Sequence, residues 1–198
     1  MPSEKPHKKG WIFVISGPSG SGKTTIATRI ISLKGLRNRL IRPVSYTTRP
    51  MRSGERNGKD YVFVDIKKFR SLLQAKKILE WTKYLGYYYG TPKHFVERYL
   101  DRGKHLILCL DLKGALKIKR LYPDRTIMIF ITAPSLSTLK QRILSRCHKT
   151  GQKEIVRRLQ LARQELATIN KYDYCLVNQD LKEVISNLKS IILKKISS

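Results

Sequence analysis

No apolar run in this chain is long enough to cross a bilayer, which takes a helix of about 20 residues. Its longest runs, such as "WIFVI" and "IMIFI", are only five residues each. The first ten residues, "MPSEKPHKKG", carry lysines with no apolar stretch behind them. No secretory signal is visible there, and the chain reads as cytoplasmic. Cysteine is scarce: Cys109, Cys147 and Cys175 stand far apart and form no C-x-x-C pair. That spacing argues against metal ligation and fits a reducing compartment. Acids are scarce too, 14 against 41 lysines and arginines, for a formal charge of +27. The excess has two readings, a solvated lysine-rich surface or an attraction for anions, meaning nucleotides or nucleic acid. It is spread along the whole chain without a helix-turn-helix, zinc-finger or aromatic RNA-binding pattern, so no specific nucleic-acid binding is expected. Internal repeats and low-complexity linkers are also missing.

What is present suits one domain with a real core, since 41% of the 198 residues are hydrophobic. Behind a polar tail over residues 1–10, "WIFVIS" reads as a buried strand, followed by a glycine-rich turn and a helix from Gly22 to about Leu33. "HLILCLD" (His105 to Asp111) and "TIMIFIT" (Thr126 to Thr132) are unbroken apolar runs of strand length. Helical patterns follow them at Leu112 to Leu121 and Ser135 to Cys147. "YDYCLVN" supplies a further strand ahead of a closing helix, Asp180 to Lys195. Continuous apolar strands alternating with helices predict an α/β fold, a parallel sheet covered on both faces. The section from Arg42 to Gly90 differs. Its short β-like pieces, such as "DYVFV", are broken by "SGERNG" and "YLGYYYG", with one helix candidate at Ile66 to Lys76, so it reads as an inserted subdomain. "CHKTGQKE" interrupts two helical patterns and reads as a lid.

"GPSGSGKT", Gly17 to Thr24, meets G-x-x-x-x-G-K-[ST] at every specified position, and it lies between a buried strand and a helix, where the mechanism of a P-loop needs it. Such a loop turns backbone N–H groups toward phosphate oxygens and adds a helix N-terminus. The phosphates of a nucleoside triphosphate are therefore expected on Gly17, Pro18, Ser19, Gly20, Ser21, Gly22, Lys23, Thr24 and Thr25. Lys23 reaches the β- and γ-phosphates, and the Thr24 hydroxyl is the candidate ligand for Mg²⁺.

"VSYTTRPMRSGERNGKDY", Val44 to Tyr61, sets Arg49 and Arg52 around Pro50, with Ser45 before them and Tyr61 after. Pro50 disfavours helix at Arg49. Forked donors of this kind suit a second phosphate, and a solvated basic loop has the same composition.

Taken in order, "SGPSGSGKTT", "VSYTTRPMRSGERNGKDY", "ILEW" and "GYYYGTP" resemble the guanylate kinase family, from about Trp11 to the C-terminal helix. The resemblance implies a three-layer P-loop core (about 11–41 and 104–198), an inserted mixed β subdomain for GMP (about 42–90) and a helical lid (about 142–158). It implies phosphorylation of GMP and dGMP by ATP with Mg²⁺, in a monomer or homodimer. The family's phosphate contacts for GMP fall on Arg49, Arg52, Tyr61 and Tyr89, and its base contacts on Ser45, Glu80, Thr91 and Asp111. Arg142, Arg146 and Arg158 match arginines around the migrating phosphoryl group, and Asn178 matches an asparagine near the adenine, although an asparagine ahead of a helix also reads as simply its cap.

Arg142 and Arg146, four residues apart, share a helix face. At least one of Tyr87, Tyr88 and Tyr89 is expected to be packing alone. The sequence departs from the family pattern at Cys109, where an acid is usual two residues before Asp111, at Cys147, where glycine is usual, and in a lid that is basic rather than acidic. Two rivals remain: a guanylate-kinase-like scaffold that binds phosphorylated peptides, which the presence of Lys23, Thr24 and Glu80 opposes, and a P-loop kinase for another nucleotide, which Ser45 and Glu80 oppose.

Overall fold

Strand β1 (Ile12–Ser16) is buried at all five positions, and its alternate side chains enter two separate cores. Ile12 and Val14 point to one side, with Leu106, Leu108 and Met128, against Val96, Leu100, Ala115 and Ile118. Phe13 and Ile15 point to the other, with Ile107, Ile129 and Ile131, against Ile26, Ile30, Val184, Leu188 and Ile192. Each fully buried aliphatic side chain contributes about 2 kcal/mol, which is why the apolar run is unbroken rather than alternating.

A computed structural model describes residues 10–146 and 152–197, with the backbone alone at Arg146. Residues 1–9 of the expected tail, Cys147 and residues 147–151 of the expected lid lie outside the described residues.

β1 is the centre of a five-stranded sheet ordered β2-β7-β1-β8-β9. Here β2 is Leu40–Ile41, β7 His105–Cys109, β8 Thr126–Thr132 and β9 Tyr174–Val177. Every pairing in it is parallel. Helices α1 (Lys23–Ser32) and α7 (Leu181–Ser197) supply the residues packed on one face, and α3 (Lys93–Asp101) and α4 (Leu112–Leu121) those on the other. The three-layer α/β core expected from the apolar runs is therefore present. The chain leaves β1 with neighbours on both sides, and a crevice opens at the carboxyl ends of such strands.

Between β2 and β7 the chain builds a second sheet, ordered β4-β3-β6-β5. Its strands are β3 (Tyr46–Thr47), β4 (Val62–Phe63), β5 (Ile78–Tyr84) and β6 (Tyr87–Pro92). It is mixed: β3 pairs parallel with β4 and antiparallel with β6, which pairs antiparallel with β5. Helix α2 (Ile66–Gln74) covers it with Phe69 and Leu72 against Ile78, Trp81 and Tyr88. Asp65 caps that helix by accepting from the Lys68 N–H. Tyr88 stacks on Phe69 and Trp81, so it is the packing member of the three tyrosines. Helices α5 (Leu136–Arg146) and α6 (Gln152–Leu166) flank residues 147–151.

The structure moves some boundaries. The strand expected through Asp111 stops at Cys109, because Asp111 caps α4, its Oδ1 accepting from the Gly114 N–H at 2.8 Å. The sequence reading lacks the two-residue β2 and the helix α3, although Phe95, Val96, Tyr99 and Leu100 of α3 fall at helical spacing. No helix of the described residues is long and apolar enough to cross a membrane.

Candidate functional site

Gly17 turns the chain out of β1 at φ +134°, and a Cβ there would lie 2.0 Å from the Ile131 carbonyl oxygen. Only glycine fits both that dihedral and that approach. The loop then enters α1 through Gly22, with no side-chain cap and no acid in the first turn, leaving the helix N-terminus open to an anion. Lys23 folds back over the loop, its Nζ donating to the carbonyls of Gly17 (2.5 Å) and Pro18 (2.9 Å).

Asn178, at the end of β9, is buried and its amide donates to the Ser21 carbonyl at 2.8 Å, bracing the loop from behind. It does not cap α7; Asp180 does, accepting from the Glu183 N–H. Arg142 donates to the Asn178 carbonyl at 3.1 Å, on that same back side. Arg158, 9% exposed, projects from α6, bonds Glu154 through Nε and Nη2, and reaches the Ser19 hydroxyl at 3.2 Å.

Across from the loop, Arg49 is buried with an acid. Its Nη2 donates to both oxygens of Glu55 (2.7 and 3.0 Å), and Nη1 donates to the Pro50 carbonyl. Glu55 Oε2 also accepts from the Arg52 N–H at 2.8 Å. Burial disfavours charge on both partners. The bonds they make to each other outweigh it, leaving Glu55 below the ordinary carboxylate range and Arg49 above its usual value. The guanidinium also faces the Tyr61 ring at 5.5 Å. One carboxylate thus sets the fork of one arginine and the backbone turn of the other.

Glu80 is 3% exposed. The register of β5 on β6 slips between Ile78 and Glu80, so three consecutive residues, Ile78, Leu79 and Glu80, are all buried. Its Oε1 accepts from the Thr91 hydroxyl, and its Oε2 would lie 2.7 Å from a Cβ on Gly114, close against the first turn of α4. Burial pushes this carboxyl up to about 7, seconded by the charge of Asp111; Thr91 and Lys117 pull the other way. Asp111 Oδ2 accepts from the Thr82 hydroxyl, tying the inserted sheet to the core.

The P-loop lysine, Arg158, the arginine pair and Glu80 face one cleft of about 600 Å³. Among the residues expected from the sequence, Gly17, Ser19, Lys23, Thr24 and Arg158 line it on one side, and Ser45, Arg49, Arg52, Tyr61, Glu80, Tyr89, Thr91 and Asp111 on the other. Arg142 and Asn178 lie behind the loop, and the side chain of Arg146 is outside the described residues. Cys109 lines the cleft as a thiol that burial keeps neutral, pushing its pKa up. Lining acids and hydroxyls to which a sequence reading gives no role include Glu55, Asp60, Thr82, Glu154 and Glu165. Glu55 sits inside the arginine motif, where only its spacing stands out. Glu165 follows Arg158 by two helical turns, on the same face of α6, and that seven-residue spacing was its one signal.

Comparison with known proteins agrees with this geometry. The family profile described as guanylate kinase matches residues 9–195. A protein named guanylate kinase from Caldanaerobacter subterraneus subsp. tengcongensis is 38% identical over 94% of this chain and 88% of its own length. Another of that name, from Thermotoga maritima, is 39% identical over 93% and 86%. A crystal structure of guanylate kinase from Anaplasma phagocytophilum superimposes with a TM-score of 0.80 at 30% identity, covering 96% of this chain and 88% of that one.

Proposed function

The chain belongs to the guanylate kinase family, and on that premise we propose how its cleft divides the labour of ATP-dependent phosphorylation of GMP to GDP. The observation that carries the proposal is that the P-loop with Lys23 and the buried Glu80 face each other across one cleft. Backbone N–H groups from Gly17 to Thr25 hold the triphosphate, and Lys23 leaves the Gly17 and Pro18 carbonyls for the β- and γ-oxygens. Arg49, Arg52, Tyr61 and Tyr89 hold the GMP phosphate in line with it. Ser45, Glu80, Thr91 and Asp111 read guanine, whose N1–H and N2–H₂ lie side by side and suit one carboxylate. The ribose 2′-hydroxyl plays no part in that reading, so dGMP is accepted too. Arg158 neutralises charge on the migrating group, joined from α5 by Arg146 and by Arg142 once it leaves the Asn178 carbonyl, and Asn178 acts through the loop it braces. Transfer of this kind needs positioning and charge neutralisation rather than covalent help.

Among the described residues no cluster of three or more His, Cys, Asp or Glu is built to hold a metal. That suits a divalent cation arriving with the nucleotide. The Thr24 hydroxyl in the cleft, together with a buried carboxylate oxygen of Glu165 that has no hydrogen-bond partner among the described residues, fits a hydrated Mg²⁺ beside the phosphates. When bound, the cation would supply charge neutralisation to the phosphates.

Release of ADP, coupled to an indicator reaction with ATP and each of GMP, dGMP, AMP, CMP and UMP, tests the reading. Turnover confined to GMP and dGMP is expected; equal turnover with AMP overturns it. A second outcome concerns Glu55. Glu55→Gln leaves Arg49 without its anion and frees the Arg52 turn, so the KM for GMP rises about tenfold, the cost of one charge-assisted contact. The KM for ATP stays put. Steady-state kinetics with each substrate varied in turn will separate the two, and parallel rises in both constants count against the assignment.

A further inference from the structure

Six acids line the cleft: Glu55, Asp60, Glu80, Asp111, Glu154 and Glu165. Five of them already accept hydrogen bonds from named partners. Glu55 takes Arg49 and the Arg52 N–H, Asp60 the Arg56 N–H, Glu80 the Thr91 hydroxyl, Asp111 the Gly114 N–H and Thr82, and Glu154 takes Arg158. Glu165 is the exception: its Oε2 is buried with no partner among the described residues. An unpaired buried oxygen of this kind costs on the order of 1–3 kcal/mol, so its retention in a functional cleft points to a donor that arrives with the ligand.

The chemistry of the ligands narrows that donor. Glu165 lies within electrostatic reach of Lys23 and Asp111, at the phosphate end of the cleft. Phosphate oxygens there are acceptors. The donors on guanine are at the Glu80 end, and those of ATP are on its ribose and adenine. What brings donors to the phosphates is the water shell of a divalent cation, whose bound waters are polarised toward release of a proton. Cys109, also in the cleft and within electrostatic reach of Lys23, is a neutral thiol and a poor acceptor for such waters. The Lys23 ammonium is bonded to the Gly17 and Pro18 carbonyls.

We propose that Glu165 is the outer-sphere anchor for the divalent cation that accompanies ATP, accepting hydrogen bonds from the cation's water ligands and so supplying from α6 the anion that Cys109 does not. This rests on the kinase reading above. The ligand-free fold tolerates the desolvated oxygen because burial pushes this carboxyl up to about 7, with Asp111 adding to it and Lys23 opposing.

The test uses the full chain and ADP as the probe, titrated by calorimetry with Mg²⁺ and again with the metal chelated, together with water-proton relaxation of the Mn²⁺·ADP complex. In Glu165→Gln, metal-free ADP binds within about twofold of wild type, while the extra affinity conferred by Mg²⁺ falls about tenfold, the range for losing an outer-shell partner. The Mn²⁺ relaxation enhancement falls with it. Glu165→Asp retains part of the increment, and adding Cys109→Asp to the Glu165→Gln background restores some. A full Mg²⁺ increment in Glu165→Gln overturns the inference. So does an equal loss with and without metal, which would make Glu165 a support for Lys23 or for the fold. A wild type that binds ADP in neither condition overturns the kinase reading itself, and this inference with it.

Discussion

Lys23→Met lowers kcat by about 10³-fold, the upper range for removing one preorganised donor from a developing anion, while the protein stays folded and still binds GMP. Lys23 is the one side chain of the P-loop that carries a full positive charge, and it stands at the opening of α1, where the helix adds only a partial one. In the ligand-free fold its ammonium lies on the carbonyls of Gly17 and Pro18. Two consequences follow from that position. The loop is already closed around the place the lysine will vacate, so little rearrangement accompanies phosphate entry. The substitution also removes two hydrogen bonds from the ligand-free fold, together about 2 kcal/mol, a shift of about 4–8 °C in Tm for a chain this size. Methionine keeps the apolar stem and loses the charge, which separates the two effects. Coupled ADP release at saturating ATP and GMP, with melting and GMP calorimetry on the same sample, gives the answer. Turnover within tenfold of wild type would remove Lys23 from the chemistry.

How much of this arrangement the sequence discloses depends on the kind of constraint each residue obeys. The P-loop is legible because its glycines answer to the backbone: Gly17 meets a carbonyl oxygen at 2.0 Å and admits no side chain. The core is legible because strands buried on both faces must be apolar at every position, as β1 and β8 are. Glu80 is a different case. A carboxylate in "ILEW" reads as well for an exposed strand position, and what buries it is a slip of register against β6 together with the absence of a Cβ on Gly114, thirty-four residues away. Glu55 and Glu165 are hidden for the opposite reason. Each is a common acid in a polar segment, and its meaning comes from where the fold places it: against Arg49 in one case, near Lys23 with no hydrogen-bond partner for one oxygen among the described residues in the other. Asp111 was misplaced by two residues of strand because an acid closing an apolar run and an acid capping the next helix look alike until the Gly114 N–H is seen.

Glu80→Gln cuts kcat/KM for GMP by about 10³–10⁴-fold, the penalty when a site built for polar recognition is left with mismatched groups, and leaves the KM for ATP within threefold. The amide keeps the shape and still accepts from Thr91, but it presents N–H groups toward a purine edge that is itself N1–H and N2–H₂. The pH dependence provides an independent check. Burial raises this carboxyl from its ordinary 4.5 to about 7 in the ligand-free fold. The folded chain therefore holds a proton that the unfolded chain has released, and the stability this group contributes is full below about 4.5 and is lost as pH rises through about 7. Guanine needs the ionised form. GMP affinity should accordingly weaken with each step of pH below about 7 and level off above it, whereas Glu80→Gln should show only the weaker dependence due to the nucleotide's own phosphate, whose second ionisation lies near 6. Calorimetric titration of GMP at a series of pH values, on both proteins, measures the difference directly. Matching profiles in the two would mean that the carboxylate does not meet the base, and an equal loss for ATP and GMP in the variant would mean that Glu80 only holds the inserted sheet against α4.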